Sequence, residues 1–193
     1  MRAVAIIVCI AAGWYPSQAG SEWCKETAAA KKQLAELGIA VPAATALTAT
    51  SHRSSFKGIS LDSTPAEAAA ILFREGFEIW INTYVSPKDT ISSFEICHPR
   101  GKDPIGWVEF DQKGQAQRLT LQADYFFDED ISTRDFADRV FRHYKVRPDE
   151  VEDDACFQDV TCFRGRTDRG EQFLILKING ALRLYVRALR PGE

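Results

Sequence analysis

The stretch LDSTPAEAAAILFREGFEIWINTYV, Leu61 to Val85, decides the fold. Thr64 is a good helix N-cap, and Pro65 suits the first helical position, where no backbone N–H is needed. Glu67 completes a T-x-x-E capping box. Ala68, Ile71 and Leu72 share one helical face, and Gly76 permits the left-handed ending that releases the chain into Phe77. From there Phe77, Ile79, Ile81 and Val85 alternate with Trp80, Asn82 and Tyr84, which is the period of a strand. A capped helix therefore hands directly to sheet.

Downstream, SPKD reads as a turn, TISSFEIC as a second strand, HPRGKDP as a loop and IGWVEF as a third strand. DQKGQ turns the chain again and AQRLTLQA makes a fourth strand, giving one helix followed by an antiparallel meander. The pattern then restarts. ISTRDFADRVFRHYKV aligns with DSTPAEAAAILFREGF without gaps: Ser132 and Thr133 fall on Ser63 and Thr64, Ala137 on Ala68, Val140 on Ile71, Phe141 on Leu72 and Val146 on Phe77. After an acidic connection come CFQDVTCF, EQFLILKI and ALRLYVRAL. Asn179-Gly180 between the last two is a strong two-residue hairpin signal, which pairs Ile178 with Ala181 and, counting outward, Leu176 with Arg183, Leu174 with Tyr185 and Gln172 with Arg187. The expected fold is α+β, with duplicated helix-plus-antiparallel-sheet units behind an N-terminal helix.

The N-terminal region has its own logic. MRAVAIIVCIAAGWYPSQAG carries Arg2, an apolar run from Ala3 to Ala12, then Pro16 and the small-residue pattern Ser17-Gln18-Ala19, the layout of a cleaved signal peptide. The run is shorter than the roughly 18 apolar residues a spanning helix needs, and Cys9 lies inside it rather than after a small residue, so no stable membrane anchor is expected. The expected domains are residues 1–19 as signal peptide, 20–55 as helix and linker, 56–127 as the first unit and 128–193 as the second. Ser21 would cap the first helix, with Trp23, Ala30, Leu34 and Leu37 on one face and Gly38 at its end. The expected location is periplasmic or secreted. Cleavage leaves Cys24, Cys97, Cys156 and Cys162, an even number that points to disulfides in an exported chain. Three pairings exist; the local turn in CFQDVTC favours Cys156 with Cys162, and hence Cys24 with Cys97.

The order of elements, together with the opener L-x-x-T-P-x-E-A at Leu61 to Ala68, resembles the small envelope proteins related to the outer-membrane assembly lipoprotein BamE and the tandem beta-lactamase inhibitor protein fold. The likeness spans residues 58 to 189 at most. Asp62 stands where that pattern has Gly, and the lipid anchor of the assembly lipoproteins is missing. The resemblance implies a non-catalytic envelope protein that binds other proteins, and it carries over no individual site residue.

The residues themselves offer no catalytic motif. The chain of 193 residues has no G-x-S-x-G elbow, phosphate loop, H-E-x-x-H helix or G-x-G-x-x-G turn. Cys97 and His98 are adjacent, so on a strand they point to opposite faces and do not meet as a nucleophilic pair. The cysteines have C-x5-C spacing without paired histidines, unlike a zinc site, and the acidic run Asp149 to Asp154 lacks the alternation and central Gly of a calcium loop. No cofactor and no metal is expected. A net charge of −3 gives no basic field for nucleic acid. What remains is surface. Alternation places Arg183, Tyr185 and Arg187 opposite an apolar face, and likewise turns Trp80 and Tyr84 away from Ile79 and Ile81, with Trp107 beside them. Arg, Tyr and Trp combine apolar area with hydrogen bonding and anchor many protein interfaces. These six residues are the expected partner-binding set, for a protein or other envelope macromolecule. The expected function is inhibitor or assembly factor; the alternatives are an envelope hydrolase whose site shows no motif, or a small-ligand or metal carrier.

Overall fold

Thr64 does cap a helix. In the computed structural model, which describes residues 27–43, 53–85, 90–98, 104–127, 131–149 and 160–189, its side chain accepts from the Glu67 N–H while the Glu67 carboxylate accepts from the Thr64 N–H at 2.8 Å. The described elements run α1 (Thr27–Glu36), β1 (Ser55–Phe56), β2 (Ile59–Ser60), α2 (Pro65–Arg74), β3 (Glu78–Thr83), β4 (Ile91–Cys97), β5 (Pro104–Phe110) and β6 (Ala116–Gln122). They continue with α3 (Ala123–Phe126), α4 (Thr133–Tyr144), β7 (Arg147–Pro148), β8 (Cys162–Thr167), β9 (Glu171–Ile178) and β10 (Ala181–Ala188). The fold is mixed α+β. None of the described helices is long and apolar enough to cross a membrane.

Eight strands form one antiparallel sheet in the order β3-β4-β5-β6-β10-β9-β8-β7. The β9–β10 register is the one Asn179-Gly180 dictates: Ile178 faces Ala181, Leu176 Arg183, Leu174 Tyr185 and Gln172 Arg187. Both turn residues have positive φ, 51° and 81°, as a two-residue turn that matches strand twist requires. The seam between β6 and β10, with Leu121 opposite Leu184 and Thr120 opposite Tyr185, joins the early strands to the late ones.

Four details differ from the sequence reading. The last residue of the expected linker, Ser55, opens a small β1–β2 hairpin that runs into the first unit ahead of its helix, because Phe56 and Ile59 are apolar enough to be buried in the core. The cap of α4 is Ser132 rather than Thr133, which is already helical; the Ser132 hydroxyl accepts from the Asp135 N–H. The eighth strand starts at Cys162 and runs to Thr167, so Phe163, Gly165 and Thr167 face inward while Arg164 and Arg166 face outward. The short strand β7 pairs with it, and Gly165 makes that possible: a Cβ there would stand 2.4 Å from Val146 Cγ1 and 2.6 Å from the Arg147 carbonyl oxygen. The start of the first helix, with Ser21 and Trp23, lies outside the described residues, as do the signal region, Cys24, Cys156 and residues 150–154 of the acidic run.

The core lies on the inner side of the sheet. Ala30 and Leu34 of α1, Ala68, Ile71 and Leu72 of α2 and Phe136, Ala137, Val140 and Phe141 of α4 join Ile79, Phe94, Val108, Leu119, Leu184 and Phe173 in a single cluster. Burying each large side chain is worth about 1.5–3 kcal/mol. Among the described residues, one carboxylate is buried on this side. Glu171 is fully buried and accepts from the Ser54 N–H at 2.7 Å, the Ser54 hydroxyl at 2.8 Å and the Thr167 hydroxyl at 2.9 Å. Its bonds tie the segment ahead of β1 to the start of β9, which makes it a structural clasp satisfied by donors on both sides.

Candidate functional site

The outer face of the sheet follows from the ladders. Cross-strand partners lie on the same face, so the strand register strings Trp80, Glu95, Trp107, Thr120, Tyr185, Leu174 and Arg164 into one row across β3, β4, β5, β6, β10, β9 and β8. A second row runs Asn82, Ser93, Glu109, Arg118, Arg187, Gln172, Arg166 and Arg147. At the near end Gln122, Arg183, Leu176 and Cys162 are opposite one another. None of these outer residues belongs to the core cluster that receives the helices.

Side chains in the rows hold one another. The Arg183 guanidinium stands 5.6 Å from the Trp107 ring centroid, a cation–π contact between strands that are not adjacent. The Trp80 indole N–H donates to Asn82 Oδ1 at 2.9 Å, and the Asn82 amide donates to Ser93 at 3.1 Å and to Glu95 at 3.2 Å. Arg118 pairs with Glu109 at 3.2 Å, Arg187 donates to Gln172 at 2.7 Å, and Arg166 lies 3.6 Å from Asp149. Arg147 pairs with Asp168.

Of the six residues expected at a partner surface, five fall on this face: Trp80, Trp107, Arg183, Tyr185 and Arg187. Trp107 and Arg183 are in contact, and Tyr185 is two row positions from Trp107, with Thr120 between them. Tyr185 is not displayed as the alternation implied. It is 9% exposed, beside Thr120 at 3% and Leu176 at 2%, so the middle of the patch is buried and its flanks carry the half-exposed groups. Burial pushes the Tyr185 hydroxyl up, and Arg183 pulls against that shift. Tyr84 lies apart, beyond the irregularity at Asn82/Thr83, where its hydroxyl donates to the Phe110 carbonyl. Its hydroxyl is raised by burial, then by Asp111 and Glu109.

The sequence reading missed Glu95, Glu109, Arg118, Arg164 and Arg166. Alternation in AQRLTLQ and CFRGRT gives the side on which each arginine lies, but their place in one surface depends on the β6–β10 seam, which no local turn specifies. Cys97 ends β4 and Cys162 starts β8, five strand steps apart in the sheet order, or roughly 24 Å at about 4.8 Å per step. They are too far apart to bond each other, which removes one of the three pairings. The His98 ring centroid lies 5.4 Å from that of Tyr125. Among the described residues there is no group of three or more His, Cys, Asp or Glu that could hold a metal ion. No family model, no curated protein and no solved structure matches this chain.

Proposed function

We propose that this is an exported, non-catalytic protein that binds a macromolecular partner of the cell envelope on the outer face of its sheet, as an inhibitor or assembly factor. The observation that carries the reading is the row from Trp80 through Trp107 and the buried Tyr185 to Arg164, in which the half-buried Trp80, Trp107 and Arg164 side chains stand in register on a face opposite the helix-bearing core. Flat antiparallel faces with such residues suit protein recognition, because planar rings and guanidinium groups bury area at low entropic cost. The resemblance to the BamE and beta-lactamase inhibitor protein families belongs to the same reading.

The duplicated architecture is part of this proposal. Its support is the mirrored sheet order: strands three to six of the chain meet strands seven to ten through the last strand of each set, β6 against β10. The two helix ends also correspond. Gly76 and Lys145 occupy matching alignment positions and both have positive φ, and the next residues, Phe77 and Val146, donate to Leu72 and Phe141 at 2.9 and 2.8 Å. Export is supported by the cysteines, since Cys97 and Cys162 are both half-cystines. Their proposed partners are Cys24 and Cys156, with Cys97–Cys24 and Cys162–Cys156 as the pairing.

The test is capture. A photo-crosslinkable residue placed at Trp80 and expressed in the native compartment should trap one discrete partner, and Trp107→Ala with Arg183→Ala should reduce the trapped fraction severalfold while leaving the unfolding midpoint nearly unchanged. Undiminished capture by the double variant would remove this face from the binding surface.

A further inference from the structure

We infer that the outer face is electrically bipolar and selects a protein surface of opposite polarity, acidic where it meets β6–β10–β9–β8 and basic where it meets β3–β4–β5. The inference rests on the docking role proposed above and assigns the partner's chemistry. On β6, β10, β9 and β8, the outward positions carry Arg118, Arg183, Arg187, Arg164 and Arg166, with no acid among them. On β3, β4 and β5 the outward positions carry Glu78, Glu95 and Glu109, with no base among them. This segregation occurs in a chain whose net charge is −3, so the arginines are concentrated rather than merely abundant.

The far members of the two groups lie well apart. Glu95 on β4 and Arg164 on β8 are five strand steps apart, roughly 24 Å, against a screening length of about 8 Å at physiological salt. Arg118 and Glu109 meet at the boundary, 3.2 Å apart. That pair and the rim pair of Arg166 with Asp149 have partly solvated side chains, 41%/36% and 47%/23% exposed, so each holds weakly and is exchangeable for a partner's carboxylate. The basic group is all arginine, whose planar fork binds carboxylates bidentately. A uniformly anionic surface, such as a lipid headgroup layer, would match the arginines and be repelled by the three glutamates. A protein with both signs matches both halves, and like-charge contact rejects the rest.

Peptide mapping on the full chain tests this. An octaglutamate peptide should shift the amide resonances of β8 to β10, and Arg164→Glu with Arg166→Glu should weaken its binding roughly tenfold at low salt. An octalysine peptide should shift β3 and β4, and lose affinity on Glu78→Lys with Glu95→Lys. Arg164→Lys with Arg166→Lys should keep most octaglutamate binding and the wild-type unfolding midpoint, which separates charge from folding. Octaglutamate shifts elsewhere on the molecule, or binding unchanged by the reversal, would overturn the assignment. Binding of phosphatidylglycerol vesicles through the arginine strands without an octalysine response would also overturn it, in favour of a membrane surface. Because crosslinking from Trp80 reads docking and the peptides read polarity, each reading can fail alone.

Discussion

Burial pushes the Tyr144 hydroxyl up to about 12, with the Glu171 carboxylate adding to the shift. The neutral hydroxyl is held in place: it donates to the Ser55 carbonyl at 2.9 Å, and its ring packs against Phe56 and Phe173. Below about pH 10 the folded and unfolded chains both keep this proton. Between about 10 and 12 the unfolded chain releases it and the folded chain does not, so stability falls as pH rises through that window. Tyr144→Phe should therefore lower stability near neutral pH by about 1 kcal/mol through the lost hydrogen bond. It should also flatten the alkaline decline, leaving the slope due to Tyr84 and Tyr185, whose hydroxyls are raised as well. Urea midpoints at several pH values check both effects, and an alkaline slope equal to wild type would show that Tyr144 does not titrate in this window. Residue-level features differ in how far they are legible. The Thr64–Glu67 box is readable because both partners sit within four residues, whereas Glu171 and Ser54 are 117 positions apart and nothing local marks either as the other's partner.

Among the elements, β7 depends on a missing side chain. Gly165 lets the two-residue strand approach β8 closely enough for Arg147 to face Arg166 and for the Asp149 N–H to donate to the Arg164 carbonyl at 2.9 Å. Gly165→Ala would place a Cβ against Val146 and against the Arg147 backbone, which cannot rotate away as a side-chain tip can. The expected cost is roughly 1–3 kcal/mol, typical of overpacking. Hydrogen exchange should find the Asp149 amide poorly protected in the variant while amides of the β9–β10 ladder keep their protection; equal protection at Asp149 would show that the strands absorb the methyl group. This element escaped the sequence reading for a physical reason. Two residues, one of them Pro148, present no period to detect, and a glycine inside CFRGRT reads as weak strand unless its neighbour is known. The β9–β10 hairpin was fully legible by contrast, since turn chemistry and alternation fix the same register.

At the scale of the whole molecule, the question is whether eight strands behave as two sheets or one. Three features couple the halves. The β6–β10 seam pairs five residues of each strand, Phe56 of the early hairpin packs 5.9 Å from Phe173 of β9, and Glu171 clasps Ser54. Alternation shows which residues of each half are apolar, but the seam that makes one surface of them forms between strands with about sixty intervening residues, where no turn sets the register. That is why the individual anchors Trp107 and Arg183 were readable and their contact was not. The shared core holds inner residues of both halves in one cluster, so neither half has a separate apolar interior to fall back on. Unfolding should therefore be a single cooperative transition, with the amides of Ile79 in β3 and Ile175 in β9 exchanging through openings of the same free energy. Leu184→Ala, which opens a cavity in the fully buried seam strand, should cost roughly 2–5 kcal/mol and lower protection at both amides together. If Ile79 kept its protection while Ile175 lost it, the halves would be independent folding units, and a binding surface that spans the seam would exist only when both are folded.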